Sequence, residues 1–432
     1  MRRWVDLMAA LLLVGGAVLS VLDSVLAEAY GAAPLALGLA ALLLWHGRRQ
    51  PLRYLYLVLL LVILRILLQG DERFLPEEIT LSDYLIVILG FAASYRLPQD
   101  FWRAFLPLFA IFVPLAALLT YLLRSGPELL EKFHAGALSI NQTALLLGAC
   151  LTLALCFLWN SATTPRPVGW RTLLTGFWLG ITGILALLQW STGSRSGLGL
   201  APLVVATMLL WAKRRALQGG LLQVSSRLAR TLQRWMPQTS PRAVLWVLLL
   251  AGGGLLVGAA AMGLSTVYAN KENTVSDLHR LSLLGCYFHS MVSDDKHVIY
   301  GMGFTSASQT VCKNIGLIKG TTHAHNIFAQ IGADNGFFAM LLVLGLAGWF
   351  LRQAFRRAEE HRSSLFFATS CLYVFLLMFL QIEGGWGKVT TLQVLLGLSL
   401  GALTMEGSEV RPASPGILIP GRPDRGRKQS GL

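Results

Sequence analysis

The chain has 432 residues, 54% of them hydrophobic and only 13% charged, with a net charge of +14. That balance excludes an ordinary soluble enzyme, because apolar runs of about 17–25 residues recur along the chain and each can cross a hydrocarbon core as a helix. The positive charge invites a nucleic-acid reading, but most of the 36 Lys and Arg stand in short connections beside apolar runs, where they act as topology signals.

Inside a bilayer every backbone N–H and C=O must be satisfied within the protein, so the apolar runs are expected to be helices. In chain order they cover residues 4–27, 30–45, 54–69, 84–97, 101–123 and 142–159, then 170–190, 197–212, 243–262, 336–351, 365–382 and 390–405. The expected fold is therefore all-α: a polytopic integral membrane protein of twelve transmembrane helices. Helices one to nine with short loops fill 1–262, a large loop spans 263–335, helices ten to twelve fill 336–405, and a basic tail occupies 406–432. The first run starts directly after Met1-Arg2-Arg3 and shows no small-residue cleavage site, so it is expected to be a span and not a cleaved leader.

The connections alternate in charge. The termini and the connections near Arg48, Arg103, Arg166, Lys213–Arg242 and Arg352–Arg362 are basic, which places them, with both termini, on the cytoplasmic side. Segments 70–83, 124–141, 191–196, 263–335 and 383–388 then face the other side. The tail carries Pro412, Pro415, Pro420 and Pro423 and reads as disordered; lipid contact and a plain topology role are both open for it, and the plain role is preferred. Of the five cysteines, Cys150, Cys156 and Cys371 fall in apolar runs and read as packing residues. Cys286 and Cys312 share the large loop, where an oxidising compartment would let them pair.

Three polar islands on the non-cytoplasmic side can carry chemistry. The first is Ser191-Thr192-Gly193-Ser194-Arg195-Ser196-Gly197, where hydroxyls, glycines and a helix start suit an anion and Arg195 supplies a guanidinium fork for phosphate oxygens. The competing reading is a short turn whose arginine snorkels to headgroups. The second is the loop 263–335, with Arg280 in the amphipathic stretch DLHRLSLLGCYFH and a glycine turn, Tyr300-Gly301-Met302-Gly303-Phe304. Arg280 reads either as a solvated surface residue or as a ligand-binding one. The third is HAHN, His323 to Asn326, leading into residues 327–336. His325 can serve as a general base, since imidazole titrates near neutral pH, and Asn326 can orient it or bind a sugar hydroxyl. Asp334 lies two and a half helical turns further on, too far for a direct pair with His325 on one helix. The i, i+2 spacing of His323 and His325 also fits a metal site, but no third ligand stands at a suitable spacing, so no metal and no cofactor are expected. Histidines serving only as loop hydrogen-bond groups remain the plain alternative.

Taken in order, STGSRSG, the long loop with its arginine and YGMGF turn, and HAHNIFAQIGADNG resemble the O-antigen ligase/polymerase superfamily over about residues 190–351. The sequence departs from that pattern at Ser196, which intervenes before Gly197, and at Leu284, where the family commonly has Trp. The resemblance implies a metal-independent, inverting glycosyltransferase of the bacterial inner membrane whose active site faces the periplasm. Its partners would be an undecaprenyl-diphosphate-linked glycan donor, the lipid A–core acceptor and membrane lipids, with no nucleic acid. It implies catalytic roles for His325, Arg280 and Arg195, and substrate contacts from Ser194, Asn326, Gly301, Gly303 and His323. Within the superfamily ligase is preferred to O-antigen or exopolysaccharide polymerase on length, span count and the late position of the large loop. A protein oligosaccharyltransferase is disfavoured by the short segment after the last span. From another class, a transporter or lipid flippase would use Arg65 and the polar islands as a path, yet the sequence shows no repeated halves.

Overall fold

The computed structural model describes residues 2–22, 81–94, 97–124, 140–232, 271–303, 324–360, 364–381 and 390–404, with residues 34, 35, 37–39, 41, 42, 240, 244, 307, 311 and 312. Among them the elements are helical and no strand occurs. The first half contains α1 (Arg2–Leu22), α2 (Leu81–Ser94), α3 (Gln99–Arg124), α4 (Ile140–Thr163), α5 (Val168–Ser191) and α6 (Arg195–Ala212). Then follow α7 (Arg214–Leu232), α8 (Lys271–Val292), the short α9 (Asp295–Tyr300) and α10 (Ile327–Asn335). The chain closes with α11 (Phe337–Glu360), α12 (Ser364–Phe379) and α13 (Thr390–Leu403).

Five of these are long and apolar enough to cross a membrane: Trp4–Leu22, Gln99–Leu123, Ile140–Thr163, Val168–Ser191 and Phe337–Glu359. Four shorter apolar helices, Tyr84–Ser94, Gly197–Ala212, Leu365–Phe379 and Thr391–Leu403, coincide with further expected spans. The run at 54–69 lies outside the described residues, the run at 243–262 does so except for Val244, and 30–45 is described only in part. Helix α5 shows why the long helices suit a bilayer. Trp170 and Trp190 stand exposed near its two ends, 20 residues apart, which at 1.5 Å per residue is about 30 Å. That separation equals the hydrocarbon thickness between two aromatic belts.

The helix directions follow from side-chain contacts. Thr120 donates to the Val21 carbonyl at 3.0 Å, joining the C-terminal ends of α1 and α3, so these two run the same way. Ser20 of α1 meets Thr391 at the start of α13 at 3.3 Å, so that pair is antiparallel. Helices α2 and α13 are parallel and unusually close. A Cβ on Gly397 would strike the Val87 carbonyl and the Gly90 Cα, and one on Gly401 would strike Ser94. Small residues four apart on both helices let the backbones touch, the way helices associate where lipid supplies no hydrophobic drive.

Helices α6 and α11 are joined at their C-terminal ends, where Trp211 packs edge-on to Phe355 at 5.0 Å and Arg214 pairs with Glu359 at 2.6 Å. The core is continuous through α3, α4 and α12. Phe101, Phe105 and Phe109 line one face of α3 with successive ring centroids 5.4 and 5.7 Å apart, and Phe375 of α12 fills the space that a side chain at Gly148 would need.

Two expectations change. The connection over 213–242 was expected to be a loop, but 214–232 is the helix α7. Helix α11 begins at Phe337 and runs to Glu360, past the expected end at Leu351, while Gly336 stands outside it with φ 91°.

Candidate functional site

The described residues of the large loop are assembled around α10, a helix of nine residues. A helix this short cannot hold itself together in water, because each end leaves orphan backbone groups. Here both ends are capped. At the start, the Asn326 side-chain oxygen accepts from the Phe328 and Ala329 N–H groups, both at 3.0 Å. At the end, the glycine turn docks by its backbone: the Met302 N–H donates to the Ala333 carbonyl at 2.8 Å and the Gly303 N–H to the Asp334 carbonyl at 3.0 Å. A Cβ on Gly301 would fall on the Asp334–Asn335 peptide, and one on Gly336 on the Ile299 carbonyl. Both glycines have φ in the left-handed region, at 71° and 91°, so each position requires glycine for conformation and for contact.

His325 immediately precedes the cap. It is buried, and its φ of 51° makes it the only described non-glycine residue with left-handed backbone. Such a conformation costs of order 1–3 kcal/mol and persists where the surroundings fix it. The surroundings here are specific. Gln330, on the first turn of α10, accepts from the Ala324 N–H at 3.2 Å and donates to the Asp334 carboxylate at 2.8 Å. Asp334, fully buried, is thus linked to the histidine turn through Gln330, although the two are too far apart along the helix to meet directly.

Helix α8 covers this turn. The rings of His279 and His325 meet edge to face with centroids 6.5 Å apart, and both residues are buried. Burial pushes the His279 imidazole below its ordinary value, and the Arg280 charge beside it adds to the shift. Arg280 itself is half-buried on the same helix. A disulfide between Cys286 and Cys312, with Cα atoms 5.9 Å apart, fastens α8 to the segment that follows the glycine turn. The pairing of these two cysteines, conditional in the sequence, is therefore present.

The α5–α6 turn is built separately. Thr192, fully buried, donates to the Gln189 carbonyl at 2.7 Å and accepts from the Ser194 N–H at 3.1 Å. Gly193 takes φ 66°, Ser194 is the N-cap residue and Arg195 opens α6. A short path connects this turn to α10. Gly197 packs on Gln189, whose side chain donates to the Ala144 carbonyl at the start of α4 at 3.2 Å. One turn further on, Gly148 of α4 meets Phe375 near the end of α12. Just beyond α12, the Leu380 carbonyl accepts from the Ile327 N–H of α10 at 3.1 Å. Ser194 and Arg195 therefore stand at the same end of the bundle as His325.

The structure thus gathers His325, Asn326, Arg280, Gly301 and Gly303 into one unit, with Ser194 and Arg195 at the same end. His323 and the Arg195 side chain lie outside the described residues. Asn326, expected to contact a sugar, spends its side-chain oxygen on the cap, while the Met302 and Gly303 N–H groups of the glycine turn are spent on α10 and that of Gly301 on the His297 carbonyl at 2.9 Å. Sequence reasoning did not single out His279 or Gln330, and it read Thr192 only as one hydroxyl of the first polar island. The signal for His279 was present: His279, Leu283 and Tyr287 repeat at i, i+4, i+8 and are all buried, so a histidine occupies the apolar stripe of α8. Compared with family models and with curated proteins, the chain matches none.

Proposed function

We propose that this chain is a membrane glycosyltransferase, an O-antigen ligase that moves a glycan from undecaprenyl diphosphate to the lipid A–core at the periplasmic face of the inner membrane. The observation that carries the reading is the histidine turn: a buried histidine on left-handed backbone, in a turn that Gln330 ties to Asp334 through the Ala324 N–H and that His279 of α8, next to Arg280 in the chain, covers. In the proposed reaction the acceptor hydroxyl oxygen attacks the anomeric carbon, the carbon–oxygen bond to the diphosphate breaks, and His325 takes the hydroxyl proton. Arg195 and Arg280 stabilise the charge that develops on the departing undecaprenyl diphosphate. In-line attack inverts the anomeric centre, and no metal is required.

Helix direction supports the twelve-span topology. Helices α6 and α11 run the same way, so if both cross, the chain must cross back between them, and 243–262 is the apolar run able to do so. Helices α1 and α2 run oppositely, since α1 opposes α13 and α13 parallels α2, which fits two crossings at 30–45 and 54–69. Both termini are then cytoplasmic, and the folded loop lies on the periplasmic side, where the Cys286–Cys312 disulfide is at home.

The test uses the purified full chain in detergent with lipid-linked glycan donor and rough lipopolysaccharide, in EDTA. Transfer to the lipid A–core by wild type, lost by roughly 100-fold or more in folded His325→Ala, Arg195→Ala and Arg280→Ala, is the expected result. Undiminished transfer by folded His325→Ala removes the general base. Elongation of the lipid-linked glycan without core attachment replaces ligase with polymerase.

A further inference from the structure

Helix α7 has no part in the site above. It follows α6 after a single non-helical residue, Lys213 (φ −98°, ψ 2°), and its start is tied down by the Arg214–Glu359 pair, with the Arg214 guanidinium 3.9 Å over the Trp211 ring. Helix α7 contains four arginines and no carboxylate.

Its surface has three sides. Ser225 and Ala229, one turn apart, are fully buried and face the protein. Val224 and Leu228, also one turn apart, are exposed at 53% and 39%. Arg227 and Arg230 are exposed as well. At 3.6 residues per turn these three pairs are each roughly a third of a turn apart. A helix in water would not leave an apolar ridge open beside its protein-facing side, and a helix in the hydrocarbon core would not carry two open arginines. A helix in the headgroup layer needs both.

We propose that α7 is an interfacial helix, seated in the headgroup layer of the leaflet at which α6 ends, where Arg227 and Arg230 bind anionic phospholipid and Val224 and Leu228 insert among the upper acyl carbons. The occupant is lipid because the exposed charge is all of one sign, and because α7 continues directly from the end of an apolar helix whose terminal Trp211 is itself part-exposed. The inference does not depend on the reaction proposed above.

Spin labels on Val224→Cys and, separately, Arg227→Cys in the full-length chain test it. The three unpaired cysteines are buried and the other two form a disulfide, so the native background suffices. In nanodiscs of phosphatidylcholine with one-third phosphatidylglycerol, the label at 224 is expected to relax with dissolved oxygen in preference to an aqueous nickel chelate, and the label at 227 to do the reverse. Replacing phosphatidylglycerol by phosphatidylcholine, or introducing Arg227→Gln with Arg230→Gln, should abolish the contrast at 224. The proposal is overturned if the 224 label is aqueous in every lipid mixture, shielded from both reagents as in a protein contact, or equally inserted whatever the lipid charge.

Discussion

Asn326 has one side-chain oxygen and two backbone donors on it, and its contribution can be separated from any sugar contact. Asn326→Asp and Asn326→Ser keep a capping oxygen and should leave thermal stability in detergent nearly unchanged, while Asn326→Ala should cost about 1 kcal/mol. If Asn326→Asp melts as early as Asn326→Ala, the cap is not what holds α10. His279 makes a pH prediction. Burial makes it harder to protonate in the folded chain than in the unfolded one, and Arg280 acts in the same sense. The unfolded chain therefore binds the extra proton as pH falls through about 6.5, the ordinary histidine value, and stability present above that value is lost below it. His279→Gln should flatten the acid side of a melting-temperature profile between about pH 7 and 5; an unchanged slope would place the loss elsewhere. What the sequence concealed at this scale is partnership. Gln330 and Asp334 are visible as an i, i+4 pair, but the Ala324 N–H that completes the link comes from a turn whose shape no spacing reveals.

At the scale of elements, the apolar helices were legible because length and composition decide them: α1, α3, α4, α5 and α11 overlap the expected runs over most of their length. Helix α7 was not, since Gly219-Gly220 and four arginines look like a connection, and its burial on Ser225 and Ala229 is a tertiary contact. The glycines at 301 and 336 announced turns, yet not that each turn lies against another backbone. The α2–α13 contact was equally hidden, because Gly90 and Gly397 are far apart in sequence. Gly397→Leu should drive a side chain into the Val87 carbonyl and cost about 2–3 kcal/mol, read as an early melt in detergent. Gly176→Leu on α5, where a Cβ meets open space, should be nearly silent; equal losses from the two would argue against close packing of α2 on α13.

Over the whole molecule, the helix directions form one consistent set although several stretches lie outside the described residues, and the site elements gather at one end. Two features build that end: α10 rests on Leu380 beyond α12, and Gly197 rests on α4 through Gln189. Gln189→Ala would leave a void beside Gly197 and remove the bond to Ala144. It should weaken the bundle there by about 1–2 kcal/mol without touching the histidine turn. A loss of oxidised Cys286–Cys312 in that variant, measured by thiol labelling, would show instead that the two parts fold as one.

The two tryptophans of α5 turn that helix into a gauge. Trp190 sits four residues before Ser194, so whatever depth the belt residue finds in the interface fixes the height of the Ser194–Arg195 turn above the acyl chains. Helix α5 has few neighbours on its outer side, so thinner or thicker lipid can tilt or shift it at a cost of only a fraction of a kcal/mol per ångström of mismatch. A bilayer near 30 Å of hydrocarbon seats both rings at once. Short-chain lipid lifts the turn into water and long-chain lipid draws it under; in the reaction proposed above, either shift would separate it from the lipid-linked donor.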